Sequence, residues 1–206
     1  MQNTKLPRRE SKKLRNRRQI IAAAIELFAE KGYHNVSMQE IAEKADFAIG
    51  TLYNFFKNKE DLYKALMMEM AREYHRILDR ALSQKNDVLT IIGDFIAAKA
   101  KFISESAAVL RLYLAETRGA SFNIQAGLDQ DIRRLYDKLM KKLASVLEQG
   151  VRENVLREIS PFYMAVALDG LANAFLFYCF ENPEQHSYEA NVPMIRDMFL
   201  KGVLAE

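Results

Sequence analysis

The segment SMQEIAEKADFAIGTLYNFFKNKEDL, Ser37 to Leu62, constrains this chain more than any other, because it encodes two short helices around a tight turn and then the start of a third. Ser37 can cap the orphan N–H groups of the first helix while Glu40, three residues on, reaches back to the cap residue's own N–H. Ile41, Ala42 and Ala45 give that helix one apolar face, and Asp46, a residue that tolerates left-handed backbone geometry, falls where the chain must reverse. A second helix over about Ala48 to Phe56 places Leu52, Phe55 and Phe56 at i, i+3 and i+4 for packing. Thr51, Tyr53, Asn54 and Lys57, residue types suited to reading a DNA groove, are left away from the core. Asn58 can cap the third helix, with Glu60 and Asp61 complementing the positive end of its dipole. An ordinary helical hairpin is the alternative to a helix-turn-helix here. The upstream helix, with Ile20, Ile21, Ala24, Leu27 and Phe28 and with Gly32 at its C′ position, favours the latter, since three helices can bury one small shared core.

The same residues form an ordered set: Ala24, Leu27 and Phe28, Gly32 and Tyr33, Val36 and Ser37, Ile41 and Ala42, Gly50 to Tyr53, Phe56 and Lys57, then Lys59 to Leu62. With this set the chain from Arg17 to Leu66 resembles the DNA-binding domain of the TetR (tetracycline repressor) family over about its first third. The resemblance implies that Thr51, Tyr53 and Asn54 sit on a recognition helix, Ser37 and Gln39 at the start of the preceding helix, and Lys59 at a helix N-terminus beside a phosphate. Arg17, Arg18, Ala48, Ile49, Gly50 and Lys57 complete the expected DNA-binding set. Asp46, Ala48 and Ile49 depart from the usual family pattern of a turn glycine, a capping hydroxyl and a polar or basic residue. Losing the hydroxyl cap costs on the order of 1 kcal/mol of local helix stability. Ile49 removes a phosphate or base hydrogen bond, while Ala48 and Ile49 remain able to touch a thymine methyl group.

Charge supports a nucleic-acid partner through its distribution. Residues 1 to 18 carry eight Lys or Arg (Lys5, Arg8, Arg9, Lys12, Lys13, Arg15, Arg17, Arg18) against Glu10, a balance of +7, which leaves −4 on the rest of a chain whose net charge is +3. A solubilising tail is the bland reading. Beside a helix-turn-helix, phosphate contact is the better one. The expected organisation is a basic N-terminal arm over 1–16, a helix-turn-helix domain over 17–62 and an effector-binding and dimerisation domain over 63–206.

The chain beyond Leu62 keeps a helical pattern, and an all-α fold follows. Leu62, Leu66, Met70, Tyr74, Ile77 and Ala81 stripe one long helix from Asn58 that links the two domains. Further helices are predicted over Asp87 to Ser104, Ala107 to Arg118 and Leu128 to Val151, with a loop over Gly119 to Gly127. Ser160 then Pro161, a cap followed by an N1 proline, starts a nearly all-apolar helix to about Phe180, and a last helix begins near Pro193. Ala167, Gly170 and Ala174 form a small-residue strip that is either buried within one subunit or part of a two-fold interface. The TetR resemblance implies the second, a homodimer whose four-helix bundle also takes Phe177, Tyr178, Ile195, Met198, Phe199 and Gly202.

Half of the residues are hydrophobic, enough for one or two helical domains. The longest apolar run, Phe162 to Phe180, is interrupted by Asp169 and Asn173, and the basic N-terminus lacks the apolar block of a signal peptide, so a cytoplasmic protein with no membrane partner is expected. Cys179 is the only cysteine and the histidines are His34, His75 and His186, which offers no disulfide, no metal site and no cofactor motif. No catalytic residues are assigned. Polar residues inside apolar stretches, His75, Arg111, Tyr113, Glu116, Asp169 and Asn173, are the candidates to orient an effector, against the alternative that each is solvated or satisfied by a neighbour. The resulting expectation is a homodimeric repressor of double-stranded operator DNA, released by a mainly apolar small molecule with one polar or cationic group. Phosphate-rich effectors are not favoured. An activator of the same fold, or an all-α enzyme with a DNA-binding domain, is the alternative.

Overall fold

Helix is the only regular structure among the described residues, and four of the helices start where the sequence supplies a capping side chain. The computed structural model describes residues 7–112, 122–181 and 187–205, apart from the side chains of 122–129, Phe177, Phe180 and Glu181. Its helices are α1 (Arg8–Lys31), α2 (Met38–Lys44), α3 (Ile49–Tyr53), α4 (Lys59–Ala81), α5 (Val88–Glu105), α6 (Phe122–Arg152), α7 (Pro161–Glu181) and α8 (Tyr188–Val203). Residues 107–112 are also helical. Asn58 accepts from the Asp61 N–H at 2.8 Å, and Asp87 from the Thr90 N–H at 2.9 Å. Ser187 accepts from the Ala190 N–H at 3.4 Å, and Pro161 opens α7 after Ser160, whose carbonyl takes the Met164 N–H at 3.0 Å. The Asn58, Asp87 and Ser187 side chains each satisfy a donor that the helix itself leaves unpaired, while the Ser160 carbonyl takes the first bond of its helix.

The chain divides into two compact units, one of Met1–Met68 and Ala108–Leu128, the other of Glu69–Ala107 and Asp129–Glu206. In the first, Ile20, Ala24, Phe28, Ile41, Ala42, Leu52, Leu62 and Leu66 are buried together, and Tyr33 packs its ring 5.3 Å from Phe28 and 5.0 Å from Tyr63. Full burial of a side chain of this size stabilises by roughly 1.5–3 kcal/mol, so even this small core can hold three helices. In the second unit α5 packs on α8 and α8 on α7. Ile92, Phe95 and Ile96 of α5, Met164, Ala165 and Leu168 of α7, and Ile195 and Phe199 of α8 fill it. Gly150 lets the end of α6 approach closely: a Cβ there would lie 2.8 Å from Leu156 Cδ1 and 3.0 Å from Val88 Cγ2. The α6–α7 connection is tied to the end of the chain by an isolated antiparallel bridge, Leu156 to Leu204, with Arg157 N–H to Val203 O at 2.9 Å and Ala205 N–H to Val155 O at 3.1 Å. Among the described residues no helix is long and apolar enough to cross a membrane.

Four boundaries differ from the sequence reading. From Arg8 on the basic segment is helical, because α1 begins there; Lys and Arg are good helix formers and no breaker stands between Arg8 and Lys31. The second helix of the motif spans Ile49–Tyr53 with Ala48 as its N-cap, not Ala48 to Phe56. Asn54 ends it, and Phe56 returns to the core from the following turn. Helix α6 begins at Phe122, so Gly127, placed in a loop, is helical; one glycine costs about 1 kcal/mol, which a 31-residue helix with a continuous apolar stripe absorbs. Helix α8 begins at Tyr188, fixed by the Ser187 cap, and Pro193 lies inside it, where it removes one backbone bond and crowds the Glu189 carbonyl, a cost that the packing of α8 on α5 and α7 outweighs.

Candidate functional site

The helix-turn-helix is built as its sequence specifies. Ser37 Oγ accepts from the Glu40 N–H at 3.2 Å while Glu40 Oε2 accepts from the Ser37 N–H at 2.8 Å, a reciprocal capping box. Glu40 also pairs with Lys31 at 2.8 Å. The Lys31 ammonium and then the two Ser37 donors hold the Glu40 carboxyl down to about 2. Asp46 adopts φ 57°, the left-handed geometry that the reversal requires, and Gln19 Nε2 donates to the Ala45 carbonyl at 2.9 Å, fastening the turn to α1. Gly32 closes α1 at φ 77°. The Arg17 guanidinium lies over the Phe56 ring, 5.3 Å from its centroid, and is half-buried there.

Short α3 is held by Leu52, which is fully buried, and it turns Gly50, Tyr53 and Asn54 outward, with Tyr53 52% exposed. Thr51 and Ile49 are half-buried, while Ser37, Gln39, Ala48 and Lys57 are exposed on the same motif. Arg18 and the basic residues of α1 from Arg8 to Arg15 are exposed as well. The Ser37 hydroxyl is engaged with Glu40 and the Gln39 amide with Glu43 at 2.8 Å. Lys59, expected beside a phosphate, is engaged within the motif. Its Nζ donates to the carbonyls of Tyr33 at 2.7 Å, His34 at 3.3 Å and Val36 at 2.8 Å, and sits 4.6 Å from the Tyr33 ring centroid. An ammonium has three donors, and all three are spent on orphan carbonyls of the α1–α2 loop. These bonds tie the start of α4 to the loop that leads into Ser37 and α2.

The second unit contains a buried polar cluster. Asp169 of α7 is 3% exposed and pairs through Oδ1 with Lys99 Nζ of α5 at 2.6 Å, Lys99 itself being 1% exposed. Asp169 Oδ2 accepts from Tyr136 Oη at 3.0 Å and from Asn173 Nδ2 at 2.8 Å. Burial pulls the Lys99 ammonium below the usual lysine value, against the opposing pull of Asp169. Burial, and then the Asp169 charge, push the Tyr136 phenol up to about 12 and raise those of Tyr74 and Tyr188 as well. His75 Nε2 and Tyr188 Oη are buried with no hydrogen-bond partner. Among the described residues no group of three or more His, Cys, Asp or Glu could hold a metal.

Residues 20–66 match the model of the bacterial regulatory proteins, tetR family. Over 69% of this chain, the transcriptional regulator BetI of Brucella canis is 30% identical, and the match covers 68% of BetI. The chain belongs to the TetR family. The fatty acid metabolism regulator protein of Bacillus subtilis is 26% identical across 68% of this chain and 70% of its own length. A solved structure of the transcriptional regulator FadR from Bacillus subtilis, in complex with stearoyl-CoA, superposes with a TM-score of 0.74 at 21% identity, covering 89% of this chain and 97% of that one. This chain is therefore a TetR-family transcriptional regulator, with the helix-turn-helix at its N-terminal end.

Set on the TetR fold, the effector candidates separate. Asp169 and Asn173 come together in the polar cluster. His75 is half-buried on α4, Arg111 is exposed, and Tyr113 and Glu116 lie outside the described residues. Asp169 is not a free counter-ion for a cationic group, because Lys99 already neutralises it. Lys99, Tyr136 and Tyr188 were missed by the sequence reading. The signal for Lys99 was present: it stands at i+3 and i+4 from Ile96 and Phe95, on the buried stripe of α5. The interface candidates also separate. Ala167, Gly170, Ala174, Tyr178, Met198 and Gly202 are exposed, whereas Ile195 and Phe199, 0% and 5% exposed, are spent on the subunit's own core where α8 meets α5 and α7. The side chain of Phe177 is outside the described set.

Proposed function

We propose that this TetR-family regulator is a homodimeric repressor that binds a palindromic operator through α2, α3 and the basic start of α1, and leaves it when a small molecule with a largely apolar body binds the C-terminal domain. The observation that carries the DNA half is Tyr53: a large aromatic side chain, 52% exposed, on a helix whose neighbour Leu52 is fully buried. Exposed Asn54 and Lys57 follow it, and the turn that leads into its helix is fixed by Asp46 and Gln19. Support for the homodimer comes from α7 and α8, where Phe162 (52% exposed), Tyr163 (69%), Val166, Tyr178, Met194 and Met198 leave a large apolar surface uncovered and no side chain crowds Gly170 or Gly202. In a two-fold dimer the same patch faces itself, and two recognition helices would then meet half-sites about 34–36 Å apart or a multiple of that.

An effector acts by binding unequally to two arrangements, one of which matches the operator spacing. The experiment is fluorescence anisotropy of the full chain on duplexes tiled across the region upstream of its own gene, in a salt series, with sedimentation of the protein alone at micromolar concentration. Tight binding to a palindrome, a steep fall of affinity with salt and a dimeric sedimentation coefficient are expected. A monomer that still binds a palindrome tightly overturns the dimeric docking.

A further inference from the structure

Donors and acceptors around Asp169 do not balance. The Lys99 ammonium has three N–H groups, and one reaches an acceptor, Asp169 Oδ1 at 2.6 Å. Lys99 is 1% exposed, so the other two are held away from bulk solvent. The Tyr188 hydroxyl, on a residue 6% exposed, has no partner. On the acceptor side Asp169 already takes three donors, from Lys99, Tyr136 and Asn173. Two N–H groups of a buried cation are therefore left without an acceptor, beside a buried hydroxyl that can donate or accept. Tyr188 opens α8, which packs on both α5, the helix of Lys99, and α7, the helix of Asp169. The Asp169 charge contributes to raising the Tyr188 phenol, which fits this neighbourhood. Buried donors left unpaired cost desolvation energy and are uncommon in folded proteins unless something else pairs with them.

We infer that Lys99 and Tyr188 form the polar end of the effector site and take a carbonyl or carboxylate oxygen at the head of an otherwise apolar molecule. This deepens the effector reading given above and rests on it. A cationic head fits badly, because it would meet the Lys99 ammonium and the unpaired hydroxyl proton while Asp169 is already neutralised. The side chains that fill the same unit, Ile92, Phe95 and Ile96 of α5 with Met164 and Leu168 of α7, are aliphatic and aromatic, which suits an apolar remainder. The chemistry is shared by a free carboxylate and by a thioester carbonyl.

The test uses the full chain with three probes of one chain length: dodecanoate, dodecanoyl-CoA and dodecylamine, each below its micelle concentration, titrated calorimetrically and then added to the operator complex. At least one acyl probe is expected to bind at least about ten times more tightly than the amine, and which acyl probe does so identifies the source of the oxygen. Tyr188→Phe is expected to weaken acyl binding about tenfold, the loss of one hydrogen bond to an oxygen acceptor. It should also hold or raise the melting temperature of the ligand-free protein, because it removes an unpaired buried hydroxyl; a purely structural tyrosine would lower it. The inference is overturned if the amine binds as well as both acyl probes, if no probe binds, or if Tyr188→Phe leaves acyl affinity unchanged. Acyl binding in the expected pattern that leaves operator affinity unmoved supports this site and overturns the release mechanism instead.

Discussion

Breaking the Lys99–Asp169 pair should destabilise the protein unequally from its two ends. Asp169→Leu leaves the Lys99 ammonium, 1% exposed, with no acceptor, and it also strands the Tyr136 hydroxyl and the Asn173 amide. Tyr136 is 44% exposed and can rehydrate; Lys99 cannot. Lys99→Met keeps the aliphatic stem in the same space and leaves Asp169 with two donors, Tyr136 and Asn173. Stranding one partner of a buried pair costs about 3–5 kcal/mol, and Asp169→Leu belongs at the top of that range. Retained hydrogen bonds to a charged group are worth about 1.5 kcal/mol or more each, which brings Lys99→Met to the bottom of the range or below it. A gap of roughly 2 kcal/mol between the two variants corresponds to about 4–8 °C in Tm for a chain of this size. Removing both charges together, as Lys99→Met with Asp169→Leu, should recover most of the loss, to within about 1 kcal/mol of the parent, since the desolvation cost disappears with the pair. Calorimetric melting and urea titration of the three variants measure all of this. Equal losses from the two single substitutions, or a double variant as unstable as Asp169→Leu, would refute the donor accounting.

Tyr53→Ala should leave stability within about 0.5 kcal/mol, as expected of an exposed position, yet lower operator affinity roughly tenfold by removing a groove contact; anisotropy beside a thermal melt separates the two effects. Ser37→Ala removes the hydroxyl that the Glu40 N–H meets and should cost about 1 kcal/mol, read from the urea midpoint. The Glu40 carboxyl, held down to about 2, stabilises the fold fully above the ordinary glutamate range and loses that contribution as pH falls toward 2. Urea midpoints between pH 5 and pH 3 should thus fall more steeply in the parent than in Glu40→Gln. Gly150→Ala places a Cβ 2.8 Å from Leu156 Cδ1; overpacking costs about 1–3 kcal/mol against about 1 kcal/mol of helix propensity gained, so a net loss in Tm is expected, while a gain would show that Leu156 moves aside freely.

The DNA-binding third was legible because its signals are local. A capping box, a left-handed Asp46 and a helix-ending Gly32 each act within a few residues, so the sequence carries the geometry directly; the structure realises the first two as read and ends α1 on Gly32 at the C-cap rather than C′. Boundaries were less legible where two local signals compete: Ser187 and Pro193 both mark a helix start, and the cap prevails. Gly127 reads as a loop residue until the apolar stripe on both sides of it is counted as one helix. The polar cluster was half legible. Asp169 and Asn173 share one helix and stand out against apolar neighbours, but their partners come from α5 and α6, and no spacing rule within one helix pairs residues 70 positions apart.

Ser37 and Lys59 carry a further consequence for how DNA affinity is divided. Resemblance to the family puts Lys59 beside a phosphate and Ser37 in the DNA-binding set, yet the Ser37 hydroxyl is occupied by Glu40 and the three Lys59 donors by the carbonyls of Tyr33, His34 and Val36. Neither group reaches an outside acceptor without giving up an internal one, so any contact it adds is offset by the bond it leaves. Exposed groups on the same motif incur no such loss: Asn54, Lys57, Arg18 and the basic residues from Arg8 to Arg15. Because those basic residues ride on a continuous α1, their backbone entropy was lost when the helix formed and is not lost again on binding DNA. Counterion release should therefore be dominated by the start of α1, with Lys59 acting through the placement of α2 and α3.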